Sequence, residues 1–587
     1  MNKLSGLIAE ARRRRVFRTA GLYIVGAWVL LQVADLALES IGLPDSLLRF
    51  FWFAAFAGFP VALIFGWFFD VTADGISRTL PSDGAPAEDL RMRVPDYVIV
   101  GALAVVVAVF AAGLFDRARQ AEELNGPYDP KGIAVLPLEN LSGDEDQEYF
   151  SAGMHDALIT SLSKISGFRV VSRTTTVRLD RALPMTEIGK TLGVRNIVEG
   201  SVTRDGDRVR VIVQLIDAAT DAHIWAENFE REFTSVLGLQ GDMAKAIARA
   251  VNVQLSDEED AMLSETREID PKAYDRYLRG AYLLNHGSNR VRRRGITILE
   301  NLIDEGHEDA QIYASLAFGY ALLGHSPYPE GMYPASKLAA RKAMELDDSI
   351  PEVYLALGMH EMYYEWDFAA AENHLLHALE LNPSQIDAVF HYAWLMELLR
   401  NTDKSLPAGE LTVELDPLLP DMSAWLAEQY RYAGQYERAI ELAQNALELD
   451  PKNALALMSL GVTYSEMGDF DQALRMTSQI ANHAVWGFTH AAVLAEAGQT
   501  EEARQILESI DKVPRNVIAL VLIYSALDDV DEAFRWMEVA RDAKLPWYPW
   551  FIIGFQFMDE VRADPRMQSY AAELGLEDAL KRALELP

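Results

Sequence analysis

The hydrophobic pattern opens with three long apolar stretches, residues 19–38, 47–69 and 97–115. Each stretch is about twenty residues long, which is the length of helix that crosses the roughly 30 Å hydrocarbon core of a bilayer. The pattern therefore predicts three transmembrane helices that form a membrane anchor over residues 1–120.

The distribution of Lys and Arg around these spans predicts their orientation. Arg12 to Arg15 precede the first span, the 39–46 segment has no Lys or Arg, and Arg78, Arg91 and Arg93 follow the second span. Basic residues accumulate on the cytoplasmic side of membrane proteins. Although two arginines after the third span point the other way, the majority places the N-terminus in the cytoplasm and the large C-terminal part on the opposite side.

After the third span the pattern changes to alternating strand and helix signals. Residues 132–138 and 168–172 are short apolar runs typical of buried strands, and residues 147–163 between them are amphipathic with a helical period. This order predicts a βαβ unit at the start of an α/β domain.

The same domain continues through a predicted hairpin. Long alternating strands flank Asp205-Gly206-Asp207, which is a strong two-strand turn signal. A short helix is predicted at Ile188 to Leu192 before this hairpin, and a helix at Phe233 to Leu255 is predicted to close the domain. These elements together predict an α/β domain over residues 131–256.

The last half of the chain repeats with a fixed period. The motifs LELNP, VELDP and LELDP end at Pro383, Pro417 and Pro451, which are 34 residues apart. This spacing is the tetratricopeptide period, in which each unit is a pair of antiparallel helices. Residues 270–587 are therefore predicted to form an all-α tetratricopeptide-repeat superhelix of roughly seven to eight helical pairs.

The α/β region also carries a set of short motifs spread over about 125 residues. They are Ile133-Ala134-Val135-Leu136-Pro137, Asn140-Leu141-Ser142-Gly143-Asp144, Glu148-Tyr149-Phe150, Ile188-Gly189-Lys190, Leu192-Gly193-Val194, Val198-Glu199-Gly200-Ser201-Val202 and Gln214-Leu215-Ile216-Asp217-Ala218. In these motifs the region resembles a known family, the TolB-like N-terminal domains. The resemblance implies a domain that is not known to be catalytic and that occurs in bacterial membrane proteins, ahead of tetratricopeptide repeats and typically on the periplasmic side.

Composition excludes several classes of function. The formal charge of −34 over 587 residues disfavours nucleic-acid binding, because neutralising phosphates needs a basic surface. The absence of cysteine excludes disulfides, thiolate nucleophiles and cysteine-ligated metal sites. No nucleic acid is therefore expected among the partners.

Two short motifs in the α/β region suggest a ligand site but are better explained by structure. Gly189-Lys190-Thr191 resembles the end of a phosphate-binding loop, yet Pro184 stands where that loop needs a glycine. Asp144-Glu145-Asp146 lacks the ligand spacing of a calcium loop and is better explained as an acidic helix start.

No metal or catalytic site is predicted elsewhere. His374 and His377 are one turn apart near Glu380, but such a pattern on a repeat helix is more often a solvated face than a metal site. The motifs of serine hydrolases, zinc proteases and P-loop proteins are missing from the sequence. The chain is expected to be no enzyme and to bind no cofactor or metal.

The repeats carry the predicted function. A superhelix of helical pairs has an extended groove, and the groove over about residues 310–540 is predicted to bind proteins or peptides. The aromatic run from Pro546 to Phe551 is expected to pack beneath a capping helix more often than to form an exposed docking site.

Two functions remain open at this point. The favoured hypothesis is a non-catalytic scaffold or assembly factor, anchored in a bacterial inner membrane with its repeats in the periplasm. The alternative is a sensor, in which the TolB-like domain binds a ligand and signals through the membrane helices. Membrane lipid is an expected contact in both, and homo-oligomerisation is left open.

Overall fold

The fold comes from a computed structural model in which the chain divides into two compact units, Met1–Leu124 and Asn125–Pro587. The structure describes residues 16–17, 19–21, 23–28, 59, 69–72, 75–78, 128–142, 148–264, 270–285, 288–325 and 332–585.

In the first unit the described residues include helical positions between 16 and 28 and one hairpin. Strand β1 (Phe69–Thr72) pairs antiparallel with β2 (Gly75–Arg78), so that Phe69 lies opposite Arg78. Phe69, the last residue of the second predicted span, therefore lies in a strand and not in a helix.

The rest of the predicted membrane segment, 19–38, 47–69 and 97–115, lies almost entirely outside the described residues. Among the helices that the structure does describe, none combines the length and the apolar character needed to cross a bilayer.

The second unit begins with a mixed sheet of six strands, with helices against both faces at its parallel end and one face of the hairpin strands exposed. Its elements, with the helices between the strands, are β3 (Asp129–Val135), β4 (Glu139–Asn140), α1 (Glu148–Ser163), β5 (Arg169–Val170), α2 (Arg173–Arg178), α3 (Met185–Leu192), β6 (Val194–Asp205), β7 (Arg208–Asp217), β8 (Ala222–Glu232) and α4 (Val236–Ala250). Five strands lie in the order β5-β3-β6-β7-β8, and β4 pairs with β6.

The sheet confirms the predicted βαβ unit and the hairpin. Strands β3 and β5 are parallel and joined through α1, and β6 pairs with β7 up to Asp205 opposite Arg208. Gly206 turns this hairpin with a φ of 58°, a conformation that glycine adopts without steric cost. Helices α1 and α4 cover one apolar face of the sheet, and α2 and α3 cover the other.

Beyond the sheet the described chain is helical, and its helices form eight successive pairs. Short α5 (Asp257–Leu263) precedes them, and its Ser256–Glu259 capping box fixes the start. The pairs are α6 (Pro271–Asn285) with α7 (Asn289–Asp304), α8 (Ala310–Gly324) with α9 (Met332–Leu346), α10 (Pro351–His360) with α11 (Phe368–Leu381), α12 (Ile386–Leu398) with α13 (Thr402–Leu415), α14 (Pro420–Tyr432) with α15 (Tyr436–Leu449), α16 (Ala454–Glu466) with α17 (Phe470–Thr477), α18 (Phe488–Glu496) with α19 (Thr500–Ser509), and α20 (Val517–Ala526) with α21 (Val530–Asp542).

Four short helices follow the pairs and end the described chain. They share one apolar core with the third and fourth pairs, although the intervening fifth and sixth pairs have a core of their own. The chain end therefore turns back onto an earlier part of the superhelix. These helices are α22 (Tyr548–Ile553), α23 (Asp559–Ala563), α24 (Arg566–Leu574) and α25 (Glu577–Glu585).

Small residues set the distance between paired helices. A Cβ atom added to Gly461 in α16 would lie 2.3 Å from Cγ2 of Thr477 in α17, well inside van der Waals contact. The turns inside neighbouring pairs use Gly434 and Gly468, with φ of 71° and 78°, at equivalent positions 34 residues apart in sequence. The 34-residue period of the sequence therefore reflects the repeated positions at which paired helices pack closely and at which the chain turns between them.

We expect Gly461→Val to lower the free energy of unfolding by about 1–3 kcal/mol, because the larger side chain forces α16 away from α17. Glu448→Val, on the exposed face of α15, is the control and should cost at most about 0.7 kcal/mol of helix propensity. Urea unfolding of both variants, followed by tryptophan fluorescence, measures the two losses. Equal losses would contradict the close packing.

Candidate functional site in the repeat groove

The first helix of each pair lines the inner side of the superhelix, which is here called the groove. Tyr277 of α6, Phe318 of α8, Met359 of α10 and Phe390 of α12 all border one cavity on this side. In the part that the structure describes, two other segments of the chain lie over the groove: the α/β domain over its first half and the chain end over its second half.

The α/β domain is fixed to the first pair by a charged and aromatic contact. The hydroxyl of Tyr149 in α1 donates to Asp275 of α6 at 2.8 Å, and Nη1 of Arg204 lies 2.6 Å from the same carboxylate. The Arg204 guanidinium also stacks 4.1 Å from the ring centre of Phe233. Burial and the Asp275 bond raise the pKa of Tyr149 to about 12, so its hydroxyl remains a donor.

The opposite edge of the domain contacts the turn after α13. The Ser172 amide donates to the Leu415 carbonyl at 2.7 Å, and the Thr175 hydroxyl donates to the buried Asp416 carboxylate. Leu418 packs into the core between the sheet and α2 and α3. Anchored at both edges, the domain bridges the groove from the first pair to the turn between the fourth and fifth pairs.

This bridge leaves a partly enclosed cavity of about 1140 Å³, here called the chamber. Eight carboxylates and three Lys or Arg side chains line the chamber. The excess of carboxylates gives the chamber a negative potential. The acids are Asp156, Asp270, Glu308, Asp309, Asp347, Glu352, Asp387 and Asp416, and the bases are Lys164, Arg173 and Arg292.

Two of these acids have strongly perturbed pKa values. Desolvation by the surrounding walls raises the pKa of Asp387 to about 6, with Asp416 and Glu352 adding to the rise and Arg292 opposing it, although the side chain keeps solvent exposure. Desolvation raises the pKa of half-buried Asp156 to about 7, although Asp156 forms an ion pair with Arg173. Acids with shifted pKa values in a cavity are a common property of binding and catalytic sites.

The second half of the groove holds residues 545–558, here called the C-terminal segment. Trp550 stacks on Tyr363 with ring centres 5.8 Å apart and an interplanar angle of 19°. Nη2 of Arg400 donates to the Ile553 carbonyl at 2.9 Å. Tyr548 and Phe551 are fully buried. The groove therefore recognises this segment through aromatic contacts and a backbone carbonyl, both of which are common in peptide binding.

Arg400 belongs to a buried ionic network at the ends of the first helices. Its Nη1 pairs with Glu397 at 3.0 Å, and Arg431 pairs with Glu428 at 2.8 Å and with Glu466 at 2.5 Å. Buried charges are costly unless they are paired and hydrogen-bonded, and here the pairing fixes the orientation of the Arg400 side chain.

Two buried histidines lie between the chamber and the C-terminal segment. His391 contacts the Tyr363 hydroxyl at 2.8 Å through Nδ1, and the His325 ring lies 4.7 Å from the ring of Trp547. Burial lowers the pKa of His391 to about 3, with His325 adding to the effect, and burial lowers the pKa of His325 to about 4. Both rings are neutral at pH 7.

The structure also locates the motifs considered from sequence. Gly189-Lys190-Thr191 lies inside helix α3, and Asp144-Glu145-Asp146 falls outside the described residues. His377 Nδ1 lies 2.9 Å from Glu380, while His374 is not part of that contact. The aromatic run from Pro546 to Phe551 is packed inside the protein, as the sequence analysis favoured. It packs against the groove helices of the third and fourth pairs as well as against the last short helices.

Sequence reasoning missed the chamber and the ionic network. Asp387, Gln385 and Arg400 belong to no recognisable motif, and they come together only because the α/β domain and the chain end return to the groove. The partner-binding role of the groove over residues 310–540 remains a prediction. In this conformation the α/β domain and the chain end cover much of that groove.

Comparison with protein families gives two partial matches. Residues 430–485 match a tetratricopeptide repeat family, which confirms the repeats predicted from the 34-residue period. Residues 130–246 match the second domain of HilA/YgeH-like transcriptional regulators. The second match covers most of the α/β domain, and the resemblance to TolB-like domains stays a prediction.

Individual proteins show similarity over parts of the chain. A Rhizobium meliloti (strain 1021) protein named "Putative adenylate cyclase 3" is 32% identical over 258 residues, which cover 42% of this chain and 43% of that protein. The transcriptional regulator HilA of Salmonella typhimurium is 22% identical over 438 residues, which cover 71% of this chain and 76% of HilA. The chain thus spans less than half the length of the first of these relatives.

Two solved structures show similarity over part of the chain. PilF of Pseudomonas aeruginosa aligns with 38% of this chain and 98% of its own, at 17% identity and a TM-score of 0.31. YrrB, described as a TPR protein with an unusual peptide-binding site, aligns with 36% of this chain and 97% of its own, at 20% identity and a TM-score of 0.26.

We expect His391→Asn to reduce the loss of stability on acidification. The unfolded chain protonates its histidines near pH 6.5, whereas the folded His391 and His325 do so only near pH 3 and 4. Stability therefore falls as pH drops from 6.5 towards 4, by about 1.4 kcal/mol per pH unit for each histidine. Urea unfolding at several pH values should show a shallower dependence in the variant.

Exposed His223 on β8 provides the control for this comparison. His223→Asn should leave the slope of stability against pH unchanged. If His391→Asn matches the parent chain between pH 6.5 and 4, the ring is not neutral and buried in the folded protein.

Proposed function

We propose that the protein is a non-catalytic, protein-binding scaffold whose repeat groove holds a polypeptide segment of a partner. The single observation that carries the proposal is the C-terminal segment: the groove already binds a stretch of polypeptide through Trp550 on Tyr363 and through the Ile553 carbonyl on Arg400. Tetratricopeptide superhelices bind peptides and partner helices on this same inner side.

In this proposal a partner segment exchanges with the C-terminal segment. The exchange replaces one set of buried aromatic contacts with another. Its net free-energy cost is therefore much smaller than that of removing the C-terminal segment and leaving the groove exposed to water. The ion pair between Lys544 and Glu365, at 3.5 Å, lies where the C-terminal segment enters the groove. This pair is exposed enough to be changed without disturbing the core.

A removable crosslink at this position tests the exchange. The chain has no cysteine, so Glu365→Cys with Lys544→Cys supplies the sole pair for a cleavable bismaleimide. We expect the crosslinked chain to lose partner binding at least tenfold, and reductive cleavage to restore it, because the crosslink prevents the segment from leaving the groove. Photo-crosslinking from position 364, where the Tyr364 ring lies 4.6 Å from Nζ of Lys544, measures the partner adduct.

Both single-cysteine variants, treated with the same reagent, are the matched controls and should bind as the parent does. Photo-crosslinking from Leu338, which is 69% exposed on α9, reports contacts on the outer side. Partner adducts that persist in the crosslinked chain would place the binding surface elsewhere and overturn the groove proposal.

The proposal extends to location, as a multi-pass protein of a bacterial inner membrane. It is supported by the apolar runs within residues 1–120, by the arginines before the first span, and by the TolB-like resemblance of the α/β domain. The N-terminus then lies in the cytoplasm, and the α/β domain and repeats lie in the periplasm. Nucleic acid is not proposed as a partner, because the chain carries a net charge of −34.

Reporter fusions test this location. A reporter that is active only outside the cytoplasm should be active after Pro587 and silent before Met1, since three spans place the termini on opposite sides. Immunoblots of both fusions control for expression. An expressed but silent C-terminal fusion would mean an even number of crossings and would move the repeats into the cytoplasm.

A second candidate function, a ligand sensor, is favoured by the chamber. Its volume of about 1140 Å³ and its convergent polar side chains suit a small molecule, and its walls come from both the α/β domain and the repeats. A ligand there contacts both, so its binding changes how firmly the domain is held over the groove.

A further inference from the structure

We propose that the chamber binds a small organic cation bearing ammonium or guanidinium groups, with Asp387 and Gln385 as its principal acceptors. This inference rests on the second candidate function for its biological role, but the binding itself is independent of any signal.

Asp387 lies in the first turn of α12, borders the chamber and is solvent-exposed. It makes no hydrogen bond or ion pair with any side chain that the structure describes, and its charged neighbours are Asp416, Glu352 and Arg292. Two of these three neighbours are acids, so the surroundings repel an anion. A cation placed here would relieve that repulsion.

Gln385 supplies an independent observation on the same wall. It borders the chamber and is 9% exposed, and its Oε1 has no hydrogen-bond donor among the described residues. Leaving a buried acceptor without a donor costs about 1–3 kcal/mol. Asp387 and Gln385 both offer acceptors on this wall, so a ligand that binds there presents N–H or O–H donors.

The remaining walls favour an organic cation over a bare metal ion. Tyr277, Phe318 and Phe390 line the chamber, and aromatic rings attract ammonium and guanidinium groups through their π faces. Within the described residues no group of three or more His, Asp or Glu is arranged to hold a metal ion. A donor-rich cation with an alkyl part satisfies the acids, the amide oxygen and the rings together.

The simpler explanation is that Asp387 only stabilises the start of α12. An acid in the first turn of a helix does interact favourably with the helix dipole. That effect does not account for the unsatisfied oxygen of Gln385 on the same wall. A ligand with several N–H donors accounts for both observations.

The test is calorimetric titration of the full chain with spermidine at 150 mM salt. We expect binding to the parent chain, and we expect Asp387→Asn to weaken it at least tenfold and Gln385→Leu several-fold. Glu448→Gln removes one exposed carboxylate that does not border the chamber. This variant controls for general attraction of a cation to an acidic protein and should bind as the parent does. Free arginine in place of spermidine distinguishes guanidinium from ammonium preference.

The pH dependence gives a second readout. Because Asp387 is largely neutral below its raised pKa of about 6, affinity should rise between pH 5 and 7 in the parent and change much less in Asp387→Asn. Arg292, Asp416 and Glu352 face the same carboxylate and remain present in both chains.

Three outcomes would overturn the inference. The first is that Asp387→Asn and Glu448→Gln weaken spermidine binding equally, and the second is that spermidine does not bind at all. The third is that magnesium ions, added at the same total positive charge, compete with spermidine. Circular dichroism of each variant separates loss of binding from loss of fold. If spermidine binds through Asp387 but leaves partner adducts in the groove unchanged, the sensor function fails and the site stands.

Discussion

The inner side of a superhelix of helical pairs has no second layer to cover it, and this chain covers it with its own polypeptide. The first helices of the third to sixth pairs are buried along almost their whole length, including polar residues such as Glu428, Gln429 and Ser459. Such burial requires material inside the groove. The α/β domain and the C-terminal segment provide it, and the other features of the second unit depend on this covering.

The covering explains why charges are buried in an otherwise apolar region. Arg400 and Arg431 would be solvated in an open groove, but here each is paired with a glutamate and stacked near Tyr432, at 4.9 and 4.1 Å from its ring centre. Removing one partner of such a pair costs several kcal/mol, whereas the intact pair contributes little net stability. The network therefore selects one position for the chain end, which apolar packing alone would fix less well.

Local patterns predicted the elements, and long-range contacts decided the site. The 34-residue period, the hairpin at Gly206 and the βαβ order are properties of neighbouring residues, so the helical pairs and the mixed sheet could be predicted from sequence. The contact between Arg400 and Ile553 joins residues 153 positions apart, and that between Ser172 and Leu415 joins the two folds. No periodicity encodes such contacts, so the covered groove and the chamber could not be predicted from sequence.

The chamber and the C-terminal segment have a common wall, and this links the two parts of the groove. His391 borders the chamber and contacts the Tyr363 hydroxyl, while the Tyr363 ring stacks on Trp550 of the segment. His325 likewise borders the chamber and packs against Trp547. A packed wall two side chains thick transmits displacement, since interiors of this density have no free space in which to absorb it. A change in the segment that moves this wall also changes the shape of the chamber, and by thermodynamic reciprocity a ligand that moves the wall alters how tightly the segment is held.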